Sequence, residues 1–141
     1  MRSIIVASSI ILFLTACMIA LSFTVTRPLN VQIVPAQAKI ADVVGFNLDT
    51  DQLYFGTINR NGVSKRSLSV TYSKDSFVVI SAQGQMASWM SASEDAFFLP
   101  ANTRKNIEFS LRPSLDSAFG NYTANVSVSF YRPIAQYLLS P

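Results

Sequence analysis

The sequence predicts an all-β protein, an antiparallel β-sandwich of seven to eight strands preceded by one N-terminal transmembrane helix. Three observations predict it. Residues 4–25 contain no charged side chain. Beyond them, apolar and polar residues alternate with the period of two that a half-buried strand imposes. Turn-forming Pro, Gly and Asn separate these alternating runs at the spacing of short antiparallel strands.

The apolar run, IIVASSIILFLTACMIALSFTV, extends from Ile4 to Val25. As a helix its 22 residues would rise roughly 33 Å, enough to cross a hydrocarbon core of about 30 Å. The expected organisation is a signal anchor over 1–26, a juxtamembrane linker or first strand over 27–39, and a sandwich domain over 40–141. Two other readings stand beside the anchor. A cleaved signal peptide has a shorter apolar stretch, about 7–15 residues, with a small-residue cleavage site just after it. Here the A-x-A match Ala36-Gln37-Ala38 lies more than ten residues past the run. Leu14-Thr15-Ala16-Cys17 looks like a bacterial lipobox, which would place lipid on Cys17, although Met18-Ile19-Ala20-Leu21 behind it is still apolar. Arg2 and the α-amino group before the run, against Arg27 after it, favour the N-terminus inside and the domain extracytoplasmic.

Arg27-Pro28 ends the helix, because proline cannot continue it. Residues 29–34 alternate and form a candidate first strand, and Pro35-Ala36-Gln37-Ala38 reads as a break. Further strands are expected at 40–48, 52–57, 67–72, 77–82, 96–99, 106–112 and 121–131. Leu68, Val70 and Tyr72 share one face of their strand, as do Ile107, Phe109 and Leu111 of theirs. In the last run Tyr122, Ala124, Val126, Val128 and Phe130 oppose Asn121, Thr123, Asn125, Ser127 and Ser129. A helix there would scatter the apolar residues around its circumference. Turns are expected at Asn59-Arg60-Asn61-Gly62 and Pro100-Ala101-Asn102, and residues 85–93 have short-helix character.

Composition narrows the function. The net charge is +3, and Lys65-Arg66 and Arg104-Lys105 are the longest basic runs, so no face for nucleic acid is built. Histidine is absent and Cys17 is the one cysteine, inside the apolar run. That removes Ser-His-Asp and Cys-His chemistry and the usual zinc ligands. No enzyme activity, cofactor or metal is expected.

Leu53-Tyr54-Phe55-Gly56-Thr57-Ile58, then Gly62, then Lys65-Arg66-Ser67-Leu68 resembles the opening of an Ig-like sandwich of the Hydin and major-sperm-protein kind. Pro113…Asp116…Ala118-Phe119-Gly120-Asn121-Tyr122-Thr123 resembles the turn that enters the last strand of related bacterial and archaeal surface domains. The chain is similar in plan to small archaeal membrane-anchored proteins of one helix and one such domain. The resemblance spans residues 44–132 and implies an Ig-like fold; it carries no catalytic residues. Arg112 departs from it, where an apolar residue is commoner.

Several residues are candidates for a role. Asn121-Tyr122-Thr123 and Asn125-Val126-Ser127 are N-x-S/T acceptor sites on the outward face of the last strand. Met86, Trp89 and Met90 form a candidate partner contact, against the plainer reading that Trp89 closes one end of the core. Ile134, Tyr137, Leu138 and Leu139 form a second apolar candidate after Pro133, either packed back on the sandwich or lent to a neighbour. Asn47, Asp49 and Asp51 alternate as oxygen ligands would, but lack the glycine and distal glutamate of a calcium loop, so a solvated turn is expected. Glu94-Asp95 are adjacent carboxylates that diverge.

The expected function is a non-enzymatic, membrane-anchored cell-envelope protein whose extracytoplasmic domain binds a protein or the surface layer. The alternative is a secreted filament subunit, with residues 29–34 or the C-terminal segment completing a neighbour's sheet.

Overall fold

The computed structural model of the chain describes residues 2–42 and 52–135, with side chains for all of these but 2–8, 24, 25 and 135. Helix α1 spans Arg2–Thr26. No Gly or Pro interrupts it, and its hydroxyls turn inward on the backbone: Thr15 Oγ1 donates to the Ile11 carbonyl at 3.1 Å and Ser22 Oγ to Met18 at 2.9 Å. All side chains from Ser9 to Phe23 are exposed. Among the described residues no helix is long and apolar enough to cross a membrane.

Among the described residues eight strands follow: β1 Asn30–Ile40, β2 Leu53–Ile58, β3 Ser64–Thr71, β4 Ser76–Gly84, β5 Met90–Ala92, β6 Ala96–Leu99, β7 Arg104–Leu111 and β8 Gly120–Tyr131. They form a five-stranded sheet, ordered β2-β1-β8-β4-β6, and a three-stranded sheet, β3-β7-β5. Among the described residues every pairing is antiparallel except β1 with β2. The protein is therefore an all-β sandwich, mostly antiparallel.

The core lies between the sheets and follows the alternation. Val126, Val128 and Phe130 of β8 meet Ile107, Phe109 and Leu111 of β7 in one buried cluster, joined by Val70, Val78 and Ala36. Tyr72 stacks on Phe130 with centroids 4.6 Å apart. On β2 the pairing shifts: Gln37↔Tyr54 is followed by Lys39↔Thr57, two steps on β1 against three on β2. Gly56 supplies the extra residue at φ 77°, a conformation glycine adopts without Cβ strain. The bulge lets Phe55 and Ile58, three apart, both face the core.

Four expectations are corrected. Pro35 does not break the chain: β1 runs through it, opposite Asn125 on β8. Pairing with β2 starts only at Ala36, so a missing N–H on that flank forfeits no ladder bond. Of the two readings for 27–39, linker or first strand, the strand forms and runs on to Ile40, which moves the first strand of the sandwich from residue 40 to Asn30. The strand expected at 40–48 loses its start, since Ile40 ends β1, and its remainder from 43 lies outside the described residues. The helix expected over 85–93 reduces to a 3-10 turn, Ala87–Trp89, followed directly by β5. The two turns form as expected, with Asn61 and Asn102 at φ 58° and 56°.

One side of the sandwich is fastened across the sheets. Ser64 Oγ of β3 donates to the Phe55 carbonyl of β2 at 2.8 Å, and Arg66 Nε donates to the Tyr54 carbonyl. The opposite side is looser. β6 pairs with Ser76–Val79 only, so among the described residues the far half of β4 has no strand on that flank. β5 likewise pairs on one side, with β7.

Candidate functional site

Three surfaces could meet a partner. The first follows from that looser side. Between β4 and β5 lies a cleft of about 360 Å³, lined by Ile80, Ser81, Met90, Ser91, Asp95 and Phe109 among others. Ser91 Oγ and Ser110 Oγ are 2.7 Å apart and share one hydrogen bond. The lining offers hydroxyls, one carboxylate and a thioether over an apolar floor, with no His, Lys or Arg among its residues. Glu94 and Asp95 separate as expected. Glu94 Oε2 takes Lys105 Nζ at 2.7 Å, while Asp95 faces the cleft and its carbonyl accepts the Ile80 N–H at 2.7 Å.

Met90 lines this cleft, and it and Trp89 are half-buried against the core. Trp89 meets Tyr122 edge-on at 4.9 Å. Met86 is different: it is 0% exposed and belongs to the core, so no partner reaches it in this fold. The 3-10 turn after it carries Trp89 outward, and the sequence spacing could not separate the two.

The second surface is the outward face of the five-stranded sheet near α1. Val31 lies beside Ser129, and Ile33 beside Ser127. Leu29, Val31, Ile33, Phe98 and Ile134 are exposed there. Ile134 begins no long tail structure in the described residues; it sits in a 3-10 turn, Pro133–Ala135, that packs against β4 and α1. Tyr137, Leu138 and Leu139 lie outside the described residues, as do Asn47, Asp49 and Asp51. Further along the same face, Asn121 and Asn125 are exposed, beside Lys39 and Pro35. Cys17 is exposed on α1.

The third surface is at the far end of the sandwich. Arg60 lies over the Phe119 ring at 4.0 Å, with Leu115 and Val63 exposed nearby in sequence. The entry to β8 is pinned there by Tyr122, whose hydroxyl donates to the Ala118 carbonyl at 2.9 Å. Among the described residues no group of three Asp, Glu, Cys or His side chains is placed to hold a metal.

Comparison with known protein families, with curated proteins and with solved structures finds no match to this chain.

Proposed function

We propose that this is a non-enzymatic, membrane-anchored cell-envelope protein whose extracytoplasmic Ig-like domain binds another protein or the surface layer. One observation carries the reading. Nine large apolar side chains of α1, from Ile10 to Phe23, are each 55–74% exposed. Leaving them in water forgoes about 1–2 kcal/mol each, on the order of 10 kcal/mol together. That rivals the whole stability of a small domain. Such a surface belongs in an apolar phase, and the uncharged run from Ile4 to Val25 supplies a bilayer-length one. The neighbouring Leu29, Val31, Ile33 and Ile134 would then face the membrane interface. The Tyr122 to Ala118 hydrogen bond supports the Ig-like assignment, since a tyrosine tying the start of a strand to the preceding corner recurs in such domains.

The reading is tested by alkaline extraction of membranes from the producing cell, followed by intact mass. The full chain is expected to stay in the pellet, at the mass of the uncleaved sequence. Sugar mass on Asn121 or Asn125 would add an extracytoplasmic location. Release into the supernatant, or a mass beginning near Cys17 with lipid or near Lys39 without it, overturns the anchor. A protein recovered alone from gently solubilised membranes counts against the binding role. The filament alternative predicts instead high-order oligomers of a released domain.

A further inference from the structure

β1 comes first in the chain after the helix, yet it does not lie at an edge. It fills the place between β2 and β8, and without it those two strands have no connection within the sheet. All eleven residues of β1 have partners on β8, from Asn30↔Phe130 to Ile40↔Gly120. Residues from Ala36 onward also pair with β2. Ala36, Ala38 and Ile40 plug the core at 0, 7 and 1% exposure. Residues 53–131 thus make a sandwich with a strand-wide slot in one sheet, and β1 is its insert.

Two features make the insert separable. Parallel neighbours need a crossover of about a dozen residues or more. The connection from β1 to β2, residues 41–52, has twelve, which is the lower limit. A β1 supplied by a second copy needs no crossover and makes the same ladder. In addition, the first half of β1 is lightly held: Asn30 to Ile33 are exposed and lie before the pairing with β2 begins. Release can start there.

We propose that β1 is an exchangeable strand, and that two copies of this chain join by each laying its β1 in the other's slot between β2 and β8. Both slots are filled and both strands used, so the pair closes with two-fold symmetry and leaves no empty slot to recruit a third copy. This names a partner for the binding role proposed above, but rests on the sheet order rather than on the apolar run. Residues 27–29 alone separate α1 from β1, so α1 travels with its strand on exchange.

The test mixes two full-length chains in a Cys17→Ser background, one with Gln37→Cys and one with Thr123→Cys. Residues 37 and 123 are register partners on the exposed face. The mixture is unfolded, refolded together in detergent and mildly oxidised. Exchange puts the two thiols within disulfide reach only between copies, so a covalent heterodimer is expected. It should exceed at least ten-fold that from a Val31→Cys and Thr123→Cys mixture, whose positions are six residues out of register. No heterodimer, or equal yields, overturns the proposal. A second variant deletes 43–51, leaving three connector residues with a reach of about 10 Å, too short for a parallel crossover. It is expected to fold only as a dimer, and a folded monomer overturns the proposal. Neither failure bears on membrane extraction, which tests the anchor separately.

Discussion

Replacing Gly84 with alanine probes how closely the five-stranded sheet is drawn together. Gly84 ends β4 opposite Ala124 of β8, at φ 124°. A Cβ built there would lie 2.8 Å from the Ala124 Cα and 2.9 Å from the Thr123 carbonyl oxygen. Both obstacles are backbone, so neither swings away. Two costs follow. Holding an L-residue at positive φ costs about 1–2 kcal/mol. Forcing two backbones apart by a few tenths of an ångström costs a further 1–3 kcal/mol or so. The stiffer unfolded chain of alanine returns about 0.4–1 kcal/mol. The net expectation is a loss of about 2–3 kcal/mol, a large share of the stability of a domain this size. Urea unfolding followed by tryptophan fluorescence reads it, since Trp89 touches Tyr122 of the same strand. A shift under about 0.5 kcal/mol would refute the close approach and with it the end of the β4–β8 register.

Three further substitutions are read in the same assay. Ser76 Oγ is buried without a hydrogen-bond partner among the described residues, so Ser76→Ala is expected to gain about 1 kcal/mol; a loss would place a further partner there. Tyr122→Phe removes the bond to the Ala118 carbonyl and is expected to cost about 0.5–1.5 kcal/mol; no change would mean that the hydroxyl prefers water. Arg66→Ala unfastens β2 from β3 at the Tyr54 carbonyl and should cost about 1.5–3 kcal/mol, well beyond the ~0–1 kcal/mol expected for Lys65→Ala at its exposed pair with Glu108.

What could be read beforehand depended on the range of the signal. The alternation in residues 106–112 and 121–131 fixed which side chains face the core, because period two is a local property of a pleated strand. Asn61 and Asn102 announced their turns for the same reason. Phe55-Gly56 marked a motif, but its meaning as a bulge needed the neighbouring strand against which one residue is extra. Pro35 misled, since whether a missing N–H matters depends on which flank has a partner. Met86 and Trp89 looked alike in sequence; a single 3-10 turn buries one and half-exposes the other. The slot filled by β1 has no local signature, because it is a relation between the first strand and the last.

The direction in which β1 enters its sheet also decides how the domain bears load. Its start lies beside Phe130 and its end beside Gly120, the latter near the Arg60–Phe119 corner. A tether pulling from α1 against a grip at that distant corner drags β1 lengthwise, and its ladder must yield all at once. The same tether pulling against a grip near Tyr131 peels the ladder one rung at a time. The same fold is thus a strong link or a weak one according to where it is held, and optical-trap extension from the two attachment points would read the difference directly.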